Sequence, residues 1–489
     1  MKKYLLFMLI PLLSFGQSLI GSGIDGKTIG DNFGTSMSLS SDGKIIAIGD
    51  HFNSVNNESN PGHVSIFEYK LNEWKQIGAT IDGEDLKDRS GFSVSLSSDG
   101  SIVAIGAVFN DGNGTSSGHV RVFENVSGNW IQIGNDINGA AEGDLFGHKV
   151  SLSSDGSIVA IGALHNDGNG MSSGHVRVFK NISEVWTQIG NDIVGEATGD
   201  RFGNSLCLSS DGNILAIGGV FNDGNGDDSG HVRVFENVSG NWIQIGNDID
   251  GEAEGDWFGA SLCLSSNGNI VVVGAPQNDE NGDDSGHVRV FENVSGNWIQ
   301  IGDNVNGKVS GNRFGEHLSL SADGFTFAVG VPFNDENGEN TGHVRIFNNI
   351  SGSWVELDNN IYGHQINEMA GLNISLSADG FTLAVAGQFN DGYGNITGNV
   401  VIYDLFAVLS IESFNKNHFK LYPIPINDVL NIHLNSGYEL KQVNIYNIQS
   451  QYLYSVKTLK INVKDLASGI YFIEIETNKG KSTKKIVVE

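Results

Sequence analysis

Two cysteines in 489 residues are too few for a disulfide framework. They are Cys207 and Cys263, 56 residues apart, in a slot where sister segments carry Ser151 and Ser319. Each therefore reads as a small buried residue, not half of a redox or metal pair. Basic residues are also scarce, with 28 Lys and Arg against 57 Asp and Glu. Ten of those Lys and seven of the acids lie beyond residue 405, and two more Lys open the chain, which leaves 16 basic against 50 acidic residues between. So negative a surface repels nucleic acid and anionic lipid, excludes nucleic acid as a partner and favours cations or basic partners. Long apolar runs are missing too. Tyr4 to Leu13 is the longest, and at ten residues it falls well short of the roughly 20 needed to span a bilayer. Following Lys2 and Lys3 and preceding Ser14-Phe15-Gly16, it reads as a secretory signal over residues 1–16, cleaved before Gln17. No cysteine follows that site to carry a lipid anchor. Finally, there is no Gly-x-Ser-x-Gly elbow, no phosphate-binding glycine loop and no sialidase-type Asp box.

Repetition is what the chain has in abundance. The seventeen residues GHVRVFENVSGNWIQIG begin at Gly118, Gly230 and Gly286 without a change. The triplet Gly-His-Val also begins at Gly62, Gly174 and Gly342, and Gly398-Asn399-Val400 is a seventh variant, every step being 56 residues. Trp74, Trp130, Trp186, Trp242, Trp298 and Trp354 keep the same step. Seven copies of a fixed period define a repeat architecture. The six Gly-His-Val histidines are spread around it one per copy, which suits hydrogen-bonded residues at strand starts and not a shared metal site.

Within one period, FGNSLCLSS, GNILAIGGV, GHVRVFEN and NWIQIGNDI read as four short strands separated by Gly, Asn and Asp turns. Such a meander cannot bury both faces alone and must stack on copies of itself. The seventh copy stops after its third strand, GNVVIYDL, while QSLIGSGIDG at Gln17–Gly26 aligns on the fourth-strand segment WIQIGNDIDG at Trp242–Gly251. A chain that starts with a fourth strand and ends with a third can close on itself, leaving no exposed edges. The expected fold is all-β: a seven-bladed β-propeller over residues 17–405, closed by the N-terminal strand.

One copy, Phe258–Phe291, contains Phe-Gly, then Val-Gly-Ala-Pro, then Gly-x-Val-x-Val-Phe. It resembles the FG-GAP repeats of integrin α-like propellers. The resemblance implies the same fold and, in many members, a calcium loop of the form Asp-x-Asp-x-Asp-Gly between the first two strands. That turn is only Ser-Ser-Asp-Gly here, so the usual calcium site of the family is absent.

After a linker at residues 406–416, the segments LYPIPINDVLNIHL and LASGIYFIEIET and a Lys-rich end, within residues 417–489, resemble the type A C-terminal sorting domain of type IX secretion. The resemblance implies a small β-sandwich that engages the type IX machinery, guides passage across the outer membrane and is then removed. The protein is accordingly expected to be secreted or held at the outer cell surface.

Function should lie on one propeller face, where the second-to-third and fourth-to-first loops emerge. Each second-to-third loop begins with Asn (Asn53 to Asn390), and Asp follows in six of them (Asp111, Asp167, Asp223, Asp279, Asp335 and Asp391). Each fourth-to-first loop ends in an acid or amide, including Asp31, Asp88, Asp144, Asp200, Asp256, Asn312 and Glu368. These imply two rings of side-chain oxygen around one mouth, although such residues also form turns. Asp223-x-Asn225-x-Asp227 and Asp279-x-Asn281-x-Asp283 have the alternating spacing of a weak calcium loop, without the Glu an EF-hand requires. Beside the ring, Arg89, Arg201, Trp257 and Arg313 fill a slot that varies while its neighbours repeat, and this suits an individualised ligand contact. Trp257, Arg201, Arg313, Arg89, Asp256 and Asp200 are the candidate ligand-binding residues. The expected function is non-enzymatic binding or adhesion to an extracellular polysaccharide or surface protein. An extracellular glycan-active enzyme and a structural matrix component are the alternatives.

Overall fold

The 56-residue unit folds as an antiparallel sheet, seen in its fourth copy as Phe202–Leu208, Ile214–Gly219 and His231–Val238 paired in sequence order. The expected single fourth strand is broken into Asn241–Gln244 and Ile249–Asp250, both paired with His231–Val238. Gly246 lies in the break with φ at 72°, and a Cβ there would meet Gly296 O of the next blade at 2.6 Å. Only glycine takes that backbone shape without strain, so the chain leaves the ladder at this point. The computed structural model describes residues 18–27, 32–52, 61–357, 360–387, 397–405, 419–422, 426, 428–434, 438–447, 452–464, 466–467, 469–477 and 480–488. The signal segment, the linker, Asp31, Asn53, Asn390 and Asp391 lie outside them.

Seven such sheets form, and the chain's two ends meet in one of them. Ser18 and Leu19 pair with Asp404 and Tyr403, and Ile24 and Asp25 pair with Val400 and Asn399. A second set of bonds runs from blade to blade. Ser41 N donates to Ser98 O, and the series continues through Ser154, Ser210, Ser266, Ala322 and Ala378, whose N–H returns to Ser41 O at 3.1 Å. The bonds pass through all seven sheets and come back to the first. The architecture is a seven-bladed β-propeller.

Apolar packing follows the same ring. Val232 and Val234 of the fourth blade share a core with Phe258, Leu262, Leu264, Val271 and Val273 of the fifth. Ile24, Ala384, Val400 and Ile402 of the seventh blade pack likewise with Phe33, Ile46, Ile48 and Phe67 of the first. Phe258 is fully buried, and the glycine after it is required because a Cβ on Gly259 would stand 2.6 Å from His231 O. Burying a Phe side chain is worth about 1.5–3 kcal/mol, so the Phe-Gly pair is an inter-blade lock. The repeated tryptophans add another. Trp74, Trp130, Trp186, Trp242, Trp298 and Trp354 donate their indole N–H groups to carbonyls of the preceding outer strand, at Ile20, Ile77, Ile133, Ile189, Ile245 and Ile301.

The chain divides into two compact units, with the break after Leu405. In the second unit, Phe419–Tyr422, Val429–Leu434 and Lys460–Asn462 form one sheet. Leu440–Tyr446, Tyr452–Val456, Gly469–Thr477 and Gly480–Val488 form another. Leu430, Ile432 and Ile461 of the first sheet share a core with Val443, Ile445, Ile473, Ile475 and Ile486 of the second, giving a small β-sandwich. Among the described residues no helix is long and apolar enough to cross a membrane.

Candidate functional site

The expected ring of free carboxylates at the propeller mouth is not a solvent-facing rim. Asp200 and Asp256 are almost fully buried. Asp200 Oδ2 accepts from the backbone N–H groups of Glu196 and Ala197 and from the Asn222 side chain. Asp256 Oδ2 accepts from Ala253 N at 3.1 Å and from Asn278 Nδ2 at 3.1 Å. Asn222 Oδ1 in turn accepts from Gly224 N. In the second to fifth blades the carboxylate thus clamps two loops together, since a buried carboxylate must be hydrogen-bonded to persist. Burial raises the Asp256 pKa, and the bonds from Asn278 and Ala253 oppose that rise. The same slot in the seventh blade, Glu368, accepts from His364 N and Gln365 N.

The residues of calcium-loop spacing are partly committed as well. Asp223 Oδ1 accepts from Asp228 N, and Asp279 Oδ1 accepts from Asp284 N. Asn225 and Asn281 point their amide N–H groups at the carbonyls of Gly251 and Gly307. Asp227 and Asp283 are exposed. Asp228, which the spacing passes over, has its pKa raised by burial and by the nearby Asp223 and Asp227.

The Gly-His-Val histidines stand beside carboxylates, while burial lowers the pKa of His119, His175, His287 and His343 and disfavours their charged form. His119 Nδ1 lies 3.8 Å from Asp136, and His231 Nδ1 lies 3.7 Å from Asp248. Glu84 and Glu196 complete two His-carboxylate trios. A guanidinium already balances each trio: Arg121 is 3.3 Å from Glu84, and Arg233 is 3.7 and 3.8 Å from Glu196 and Asp248.

The variable slot has left-handed backbone at Arg89, Arg201, Trp257 and Arg313, with φ of 54°, 50°, 57° and 50°. Leu145 and Met369 take the same conformation in their blades, so this turn belongs to the repeat itself. The Arg201 guanidinium lies 4.6 Å from the centre of the Phe221 ring, which meets Trp257 edge-on at 5.1 Å. Arg313 Nε is 3.8 Å from Asp284. Arg201, Trp257 and Arg313 line a central cavity of about 820 Å³. Arg89 is not among its lining; its guanidinium lies 4.5 and 4.6 Å from the rings of Phe52 and Phe109.

Sequence reasoning passed over the cavity wall. The innermost strands bring Lys149, Glu316 and His317 to it, and also Cys207 and Cys263. The two thiols are half-buried on the wall, not sealed in a core, yet protein surrounds them and burial pushes the Cys263 pKa up to about 12. Burial and the charge of Lys149 push His317 down to about 4. Burial raises the Glu316 pKa against the pull of Arg313, and its Oε2 has no hydrogen-bond partner. A signal for two of these residues was available: Lys149 and His317 interrupt a slot that is serine in four other blades.

Two family models match the chain. The FG-GAP repeat covers residues 138–179 and 249–291, and the secretion system C-terminal sorting domain covers residues 420–489. The chain therefore carries FG-GAP repeats within an all-β propeller. It ends in a type IX sorting domain and is a secreted or outer cell-surface protein that engages the type IX machinery through that domain. Neither matched family model describes an enzyme. No curated protein matches. Among solved structures, a Bacteroides uniformis protein described as a 6-phosphogluconolactonase aligns at 14% identity, over 68% of this chain and 85% of that one, with a TM-score of 0.47. The periplasmic gluconolactonase of Pseudomonas aeruginosa aligns at 17% identity, over 67% and 85%, with a TM-score of 0.46. Raptor of Chaetomium thermophilum aligns at 12% identity, over 80% of this chain and 29% of that one, at 0.48.

Proposed function

We propose that the chain is a non-enzymatic binding module that holds an extracellular polysaccharide or surface protein at the mouth of its propeller, with residues 1–16 as its export signal. One observation carries the reading. In a frame of near-identical units, the side chains that differ from copy to copy, Arg201, Trp257 and Arg313, converge on one cavity. The repeated carboxylates around them are spent on loop structure and are not free to act as acid or base. Trp257 offers an aromatic face suited to a sugar ring or an apolar side chain.

The test is binding of the purified chain to a glycan panel and to extracted surface proteins, beside Trp257→Ala and Arg201→Ala. The expected result is retention of at least one partner, weakened about tenfold by either substitution, as the loss of one aromatic or Arg anchor implies. Retention unaffected by both substitutions, or turnover of a bound glycan, overturns the reading.

A further inference from the structure

The innermost strands carry a structural bond that two blades have lost. In four blades the second residue after the motif glycine is a serine, Ser36, Ser93, Ser205 or Ser261. Its hydroxyl donates to a glycine carbonyl of the next blade at 2.6–2.7 Å. In the seventh blade Asn373 makes the equivalent bond to Thr35 O at 2.7 Å. The third and sixth blades place Lys149 and His317 there instead. A hydrogen bond of this kind is net stabilising, so the ring has forgone stability at two positions.

Lys149 brings a positive charge and His317 a neutral imidazole, and both line the cavity. The Lys149 side chain is exposed to it, and its ammonium makes no ion pair or hydrogen bond among the described residues. Its charge reaches Cys207, Cys263 and His317, in the fourth, fifth and sixth blades. His317 Nε2 is buried and lacks a partner. One carboxylate lines the cavity, Glu316, and it stands beside Arg313. In a chain of formal charge −29, the cavity is thus a pocket of the opposite sign. A recess walled by protein focuses such a field toward an incoming anion.

We propose that the cavity receives the anionic group of an acidic sugar, a uronic acid carboxylate or a sugar phosphate. Lys149 is its counter-charge, and His317 is a second donor facing it from across the ring. The inference rests on the binding reading above and supplies the chemistry of the ligand. The sugar ring would sit toward the mouth, where Trp257 and Phe221 present aromatic surface.

Calorimetric titration of the full chain with an oligoglucuronate, glucose 6-phosphate and a neutral gluco-oligosaccharide tests it. At least one anionic probe should bind about tenfold or more tightly than the neutral one and weaken with added salt, and the probe that does so identifies the source. Lys149→Ser restores the repeat's residue, so it should abolish the preference while leaving the melting temperature unchanged or raised. Binding of neither anion, equal binding of the neutral probe, or a preference that survives Lys149→Ser overturns the inference. A glycan held through Trp257 without charge preference removes this inference alone. Turnover of a bound sugar, followed by product NMR, removes the binding reading instead.

Discussion

The indole N–H of Trp74 donates to the carbonyl of Ile20 at 2.8 Å, joining the first blade to the short opening segment that completes the seventh. In the other five blades that carry the tryptophan, its partner belongs to a complete preceding blade. The ring is therefore held at its seam by a segment bound through two short pairings, Ser18–Leu19 and Ile24–Asp25.

Deleting Ser18–Asp25 should expose the Asn399–Asp404 strand and lower the melting temperature sharply. Trp74→Phe should cost only about 1 kcal/mol, the net worth of one hydrogen bond. Circular dichroism melts check both, and a deletion variant that melts with the parent would contradict the seam.

Asp256→Ala should destabilise the fold by about 1–3 kcal/mol, because it strands the buried Asn278 side chain and the Ala253 N–H. Urea unfolding measures this. A midpoint unchanged from the parent would return Asp256 to the surface role expected from sequence.

Stability should decline as pH falls from about 6.5 toward 4. His51, His287, His317 and His343 are held near 4 and His148 near 3, chiefly by burial, against an ordinary value of 6.5. Below 6.5 the unfolded chain binds protons that the folded chain refuses, so acid favours unfolding. Glu356, held near 2 by Arg345 and Lys308 against the effect of burial, extends the loss below 4.5. Glu84, Asp228, Asp256 and Glu316 act in the opposite direction, since their raised pKa values favour protonation in the fold. Urea midpoints at pH 7.5, 6 and 5 should fall in that order. A flat or rising series would rule out the histidine account.

Cys263 should react slowly with iodoacetamide although it faces a cavity. With its pKa near 12 in place of 9, the thiolate fraction at pH 8 is lower by roughly a thousandfold. Mass spectrometry of native and unfolded protein gives the ratio of rates. Equal rates would show that the cavity wall does not suppress the thiolate.

Much of the fold was legible because its causes are local and repeated. The Phe-Gly pair, the strand-start His-Val and the outer tryptophan each meet the same neighbours in successive blades, so their recurrence in sequence mirrors recurrence in packing. The break in the outer strand was less legible, because Gly246 is required by the backbone of Gly296, in the next blade and 50 residues later. Of the site, the slot holding Arg201, Trp257 and Arg313 could be found from its variation alone. Lys149 and His317 could not be given meaning without the serine bond they displace.

By itself the sequence determined the period, the blade and the export tail, since each depends on contacts between neighbours along the chain or between one copy and the next, and it showed the split seventh sheet through an opening segment that matches a fourth strand. Tertiary structure alone decided the fate of the charges. Asp200 and Asp256 became buried clamps because two loops of a blade close over them. Lys149, Arg201, Arg313 and His317 come from three different blades, and they line one cavity because the ring is closed.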